Sequence, residues 1–300
     1  MASFFLLKPQ TARHRGASAL TIAGLVMALF PLAAARADSS RAAPFPEPAV
    51  TYADLADLAD SAPLVLRAQV RKLRAVEAAR APGLKPGFGR FLVTARPRAL
   101  LWGPGLNAGD LNYLADIPLN ARGKPPKLVR TEVMLFARPV ANRPGELQLV
   151  APDAQVPWGP RAEASLRAIL TELAGAEPPP HVTGVREAIH VPGTLAGEGE
   201  TQLFLSTREG TAAAITVNHL PGRQPTWTYS FSEVAGAGGQ PPARETLAWY
   251  RLACFLPGEL PRSADISDRP QDRARAQADW RLVMRDLGEC PRLRNRNSGL

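Results

Sequence analysis

The stretch "TYADLADLADSAPLVLRAQVRKL" (51–73) changes its period at a single proline. Before Pro63, the residues Tyr52, Leu55, Leu58 and Ala59 recur at helical spacing and share one face. Thr51 suits the N-cap, because its hydroxyl can accept a bond from an amide two or three residues on, and Asp54 suits the positive end of the helix dipole. Pro63 stops the helix. From Leu64 the period is two: Leu64, Leu66, Ala68 and Val70 face one way, and Arg67, Gln69 and Arg71 the other. The folded part is expected to begin with a short helix running straight into a long strand.

Four more strands are expected downstream: RFLVTARPRALLW (90–102), DLNYLADI (110–117), TEVMLFARPV (131–140) and ELQLVA (146–151). Pro97 implies an edge position or a bulge in the first of these. NRPGE (142–146) reads as a hairpin turn. After Pro160, Leu166, Ile169, Leu170 and Leu173 form one stripe, and Gly175 marks a helix stop. A sheet of five strands that curls into a small barrel removes its exposed edges, and two flanking helices can plug it. The segments LADLADSAPLVLRAQV, RFLVTARPRALLWGPGLNAGDLNYL and TEVMLFARP resemble a pattern found in exported bacterial modules. In that pattern L-x-x-x-A-D-x-V-V-x-G-x-V leads to V-x-x-x-L-K-G, then to G-D and a hydrophobic L-L-F. Such modules look like the OB-type barrel of netrin and metalloprotease-inhibitor domains, so the resemblance implies an OB-like barrel over about residues 52–150. Inhibitors of that family act through a cysteine at the mature N-terminus. This chain has none there, and the resemblance does not carry inhibition with it.

AEPPPHVTG (176–184) reads as a stiff linker. Beyond it REAIHV (186–191), TQLFLSTR (201–208), TAAAITVNHL (211–220) and TWTYSFSE (226–233) are expected to form an antiparallel sheet, with a flexible connection at 235–242. Trp227, Tyr229 and Phe231 share a face, which points to the buried side of a sheet rather than to a ligand platform. Two helices, 243–256 and 269–290, close the unit. The expected fold is mainly β with flanking helices (α+β): an OB-like barrel with its helices over 51–175, then an antiparallel sheet under two helices over 185–291. The polar residues 292–300 are expected to fray.

The N-terminus carries Lys8, Arg13 and Arg15 without an acid, then an uncharged run from Gly16 to Ala35 that Pro31 interrupts. With Ala35 and Ala37 at the positions a signal peptidase reads, residues 1–37 are expected to be a secretory signal peptide cleaved after Ala37, and 38–50 an extended leader. The alternative is an uncleaved anchor, since about 20 apolar residues span a bilayer. The full chain of 300 residues holds 36 basic and 27 acidic side chains. Removing Lys8, Arg13, Arg15 and Arg36 lowers the net charge from +9 to +5, so the basic balance is partly an export signal and not a nucleic-acid footprint. The expected location is the periplasm or the extracellular space, with no transmembrane helix left after cleavage.

Cys254 and Cys290 are the two cysteines of the sequence, and an even count in an oxidising compartment reads as one disulfide. Chain entropy gives such a loop about 3–4 kcal/mol of stabilisation. Each cysteine falls near the C-terminal end of its expected helix, and bridging them demands crossed or roughly parallel helices. No metal site or cofactor motif is expected: HExxH, HxH, CxxC, G-x-S-x-G, Walker and G-x-G-x-x-G patterns are all missing. His181 follows a proline run and is expected at the surface, while His190 and His219 fall on neighbouring strands and can approach each other. Asp54, Asp57 and Asp60 repeat every three residues and read as a solvated helix face. The unusual segment is NARGKPPKLVR (120–130), where Arg122, Lys124, Lys127 and Arg130 form a possible anion-binding loop that contains no acid. Its expected partners are an anionic surface or an acidic envelope protein. Nucleic acid is not expected, because aromatics for base stacking are missing around the loop. The functional expectation is an exported, non-catalytic binding or scaffolding protein of the bacterial envelope. The alternative is a periplasmic hydrolase or envelope-modifying enzyme, in which His190 or His219 meets a carboxylate or a serine.

Overall fold

Thr51 does cap the first helix, α1 (Tyr52–Ser61), and does so reciprocally. Its hydroxyl accepts from the Asp54 amide at 3.1 Å while the Asp54 carboxylate accepts from the Thr51 amide at 3.2 Å, a capping box that satisfies two orphan donors. One extended turn at Ala62 and Pro63 then leads into β1 (Leu64–Ala75). The computed structural model describes residues 50–105, 109–232 and 239–294, which lie within one compact unit. The expected signal peptide (1–37), most of the leader (38–49) and the tail beyond 294 lie outside the described residues.

β1 is the centre of the first sheet. It pairs antiparallel with β2 (Phe88–Trp102) on one edge and with β4 (Glu132–Pro139) on the other, while β3 (Leu111–Pro118) flanks β2. The second edge of β4 carries two short strands in succession, β5 (Leu147–Leu149) at Ala137–Pro139 and β6 (Gln155–Pro157) at Val133–Leu135. The order is therefore β3-β2-β1-β4-β5, with β6 also on β4. The outer strands meet at an isolated parallel bridge between Asn112 and Glu146 and at the bond from the Asp116 amide to the Pro152 carbonyl (2.7 Å), without a continuous closing ladder. Pro97 sits opposite Ala68, next to a register shift and beyond Ala95, where pairing with β3 ends. Its missing N–H therefore costs no ladder bond on the β3 side. Helix α2 (Pro160–Leu173) follows and buries Leu166, Ile169 and Leu170.

The second sheet is a four-stranded antiparallel meander of β7 (Val182–Pro192), β8 (Gly199–Thr207), β9 (Ala214–His219) and β10 (Thr226–Ser230). β7 starts at Val182, within the span read as linker, and the linker is itself pinned: Arg251 donates to the Pro179 carbonyl at 3.2 Å. Trp227 is buried and its Nε1 donates to Asp286 at 3.0 Å, so the aromatic stripe of β10 belongs to a packed face. The closing helices are shorter than the sequence pattern suggested. α3 spans Leu247–Ala253, because Glu245 takes a left-handed φ of 57° and Thr246 then caps. α4 (Pro270–Leu287) ends where Gly288 adopts φ 68°. Cys254 and Cys290 are joined, with Cα atoms 5.3 Å apart. Cys290 lies past the end of α4, not on it, so the bridge places no demand on how the two helices cross.

The sharpest correction concerns α1. Asp54, Asp57 and Asp60 are not a solvated face. Asp54 is buried and takes the amides of Leu293 and Arg294, each at 3.1 Å. Asp57 takes Arg292 at 2.6 and 3.1 Å and the Tyr250 hydroxyl at 2.5 Å. Asp60 takes both Arg251 terminal nitrogens and His181 Nε2. Spaced three apart, Asp54 and Asp57 together hold residues 292–294, while Asp60 holds Arg251 and His181. Residues 292–294, expected to fray, are thereby held. The buried apolar side chains of both halves, from Tyr52 to Leu287, form one continuous cluster.

Candidate functional site

The cationic loop between β3 and β4 is built by its own backbone. Asn120 Oδ1 accepts from the amides of Arg122 (2.9 Å) and Lys124 (3.1 Å), and Gly123 turns with φ 68°. This Asx turn fixes the tip and presents Arg122 and Lys124 to solvent. Lys127 and Arg130 are exposed as well. At its base the loop is stitched to the second half of β1: the Arg130 amide donates to the Val70 carbonyl (2.8 Å), and the Val70 amide to the Thr131 carbonyl (2.9 Å). Arg130 and Thr131 thus extend the sheet beside Val70, just ahead of β4.

That stitching brings a second basic segment alongside, one that the sequence reading did not connect with the loop. Arg71, Lys72 and Arg74 of β1 are exposed. Gln69 is the hub: its Nε2 donates to the Arg130 carbonyl at 3.2 Å, while its Oε1 accepts from Arg71 (3.4 Å) and Arg98 (2.7 Å). Arg98 lies only at the 4.0 Å limit from Glu132. None of the loop cations, nor Arg71, Lys72 or Arg74, is ion-paired with a carboxylate among the described residues. The signal was present as "RKLR" (71–74), but its proximity to 122–130 depends on strand register, which the local pattern does not show. The result is a solvated field of one sign over a rigid strand and an anchored loop, suited to attracting polyanions.

A second cluster lies on the face of the other sheet that α4 covers. His190 (β7), Thr201 (β8) and Val217 (β9) are in register, and His219 lies two residues along from Val217. Asp279 of α4 enters this row, buried, and both its oxygens lie 2.9 Å from His219 Nε2. The Thr201 hydroxyl donates to Asp279, so its oxygen must accept from His190 Nδ1–H at 2.8 Å. That assigns His190 the Nδ1–H tautomer and leaves its Nε2 lone pair facing Gly199, where a Cβ would sit 3.1 Å away. The imidazole rings meet edge to face with centroids 5.9 Å apart. A shallow cavity of about 530 Å³ reaches His219 past Asn218, Gly199 and Leu220. His181 stands apart, between Asp60 and Glu209. Among the described residues no group of three or more His, Cys, Asp and Glu side chains is placed to hold a metal ion.

Burial holds the His190 pKa below its ordinary value; the Asp279 charge raises it, His219 lowers it, and Asp272 and Arg275 of α4 add smaller effects of opposite sign. A depressed folded-state pKa means the unfolded chain binds the proton more readily, so stability is lost as pH falls below the usual histidine value of about 6.5. Urea unfolding at pH 7.5 and 5.5 should show a lower midpoint at pH 5.5, and His190→Gln should shrink that difference. An unchanged difference in the variant would remove His190 as its source.

The chain matches no protein-family model and no curated protein. Among the described residues no helix is long and apolar enough to cross a membrane.

Proposed function

We propose that this chain is an exported, non-catalytic binding or scaffolding protein of the bacterial cell envelope, and that it engages an anionic surface through the cations of 71–74 and 122–130. The observation that carries this is their junction: backbone bonds at Val70 join the base of the 122–130 loop to β1 next to Arg71, and the cations of both segments are exposed and without a carboxylate partner among the described residues. Unpaired cations on an ordered scaffold repel one another, which costs stability, and a polyanion relieves that repulsion. An OB-type reading of the first sheet is supported by β1 pairing with both β2 and β4, and by the Asn112–Glu146 parallel bridge between the outer segments. The periplasmic or extracellular location rests on the reading of residues 1–37 and is favoured by the cysteine pair.

The test uses protein recovered from cells, whose mass should correspond to a chain beginning at Asp38; a start at Met1 would overturn export. Near an anionic bilayer each basic side chain contributes about 1 kcal/mol. Vesicles containing phosphatidylglycerol should retain the protein at low salt and release it at high salt. The variant Arg122→Gln/Lys124→Gln/Lys127→Gln/Arg130→Gln should bind at least about a hundredfold more weakly. Equal binding by that variant would dismiss the surface, and retention on a polyanionic glycan but not on vesicles would make the glycan the partner.

The hydrolase alternative has the Asp279–His219 pair in its favour. Among the described residues the hydroxyl bonded to that pair is Thr201, which gives its proton to the Asp279 carboxylate and accepts from His190, so His219 does not stand as its base. Hydrolytic turnover abolished by His219→Asn would reinstate it.

A further inference from the structure

The polypeptide after α4 is a strap held almost entirely by polar contacts. Gly288 turns it, and Arg244 donates to the carbonyls of Leu287 (3.4 Å) and Glu289 (3.0 Å) on either side of the turn. Cys290 then joins Cys254. Arg292 passes over the rings of Phe255 and Tyr250 and grips Asp57. The amides of Leu293 and Arg294 converge on the buried carboxylate of Asp54, and Arg294 pairs with Asp153 at 2.6 Å. Leu293 is 61% exposed, so apolar burial contributes little to keeping the strap in place. Leu293 and Arg294 also form part of the wall of a cavity of about 560 Å³ that Phe88, Pro118 and Val156 line from the first sheet.

We infer that the Cys254–Cys290 disulfide is a redox latch for this strap. Ordering a strap residue costs backbone freedom and, at Arg292 and Arg294, that of a long side chain as well, together of the same order as the net worth of one hydrogen bond to a charged group. The non-covalent contacts therefore roughly balance their own ordering cost, and the covalent tie decides the position by keeping the segment beside its acceptors at high effective concentration. Reduction by a dithiol breaks the S–S bond; two electrons and two protons pass to the cysteines, giving two thiols, while the dithiol closes to its own cyclic disulfide. The strap then leaves Asp54 and Asp57, and the cavity loses one wall. This device is independent of the basic surface and goes beyond the binding function proposed above.

Hydrogen exchange on the full mature chain tests the latch. On adding dithiothreitol, the Leu293 and Arg294 amides should exchange at least tenfold faster, while the paired amides of β1 and β4 change less than threefold. Oxidised glutathione should restore the protection. Cys254→Ser/Cys290→Ser should reproduce the open pattern without reductant. Strap amides unchanged on reduction would overturn the inference. So would acceleration shared equally by β1 and β4, which would make the bridge a general staple.

Discussion

Replacing Arg251 with alanine is expected to lower the unfolding free energy by about 3–5 kcal/mol, the range for breaking a buried ion pair by removing one partner. Arg251 is 1% exposed, on the packed side of α3. Its two terminal nitrogens grip Asp60, its Nε donates to the Pro179 carbonyl, and its guanidinium lies 5.3 Å from the centre of the Tyr250 ring. One side chain thus ties together α1, the proline run and α3. Alanine leaves a largely buried carboxylate facing a void, with His181 as its remaining partner. Because the cost lies mostly in the abandoned charge, adding Asp60→Leu to Arg251→Met should recover a large part of it. Urea unfolding of the single and double variants decides the matter. A loss below about 1 kcal/mol for Arg251→Ala would mean that Asp60 finds water without difficulty.

Gly103→Ala is the second large effect. Gly103 ends β2 with φ 101°, and a Cβ there would lie 2.3 Å from the Pro63 carbonyl oxygen and 3.1 Å from the Leu64 Cα. Both neighbours are backbone, at the junction where α1 gives way to β1, so neither can rotate aside. Gly83 has a similar positive φ of 72° but nothing within 4 Å, which isolates the conformational cost of about 1–2 kcal/mol. The clash should add to that, giving about 3–4 kcal/mol for Gly103→Ala. Thermal unfolding of the two alanine variants side by side is the measurement. Equal losses would show that the junction yields.

What was legible from residues alone was what local chemistry decides. The change of period at Pro63 and the Thr51–Asp54 box require no distant partner, and both the helix and the strand fall where they were expected. The meander was legible for the same reason, since Thr201, Leu203 and Leu205 alternate in β8 with Gln202, Phe204 and Ser206 on the other face. β6 was not, because a three-residue strand ending in Pro157 carries no period; it exists because the edge of β4 offers it bonds. The aspartates of α1 misled because a carboxylate facing water and one facing an arginine some 190–240 positions away look identical in a local pattern. The cationic loop was visible as composition, yet its continuation along Arg71–Arg74 needed the register. Asp279 sits beside Trp280 in the helical stripe and reads as an ordinary polar flank until β8 and β9 bring Thr201 and His219 to it.

The capture of Leu293 and Arg294 by Asp54 also has a temporal meaning. These bonds span 239 and 240 positions, nearly the whole described chain. A polypeptide emerging N-terminus first displays α1 long before the groups that bond its carboxylates exist, and contacts of such range are the slowest to form. Consolidation of α1 must therefore await residues 293 and 294, which are made some 240 positions later.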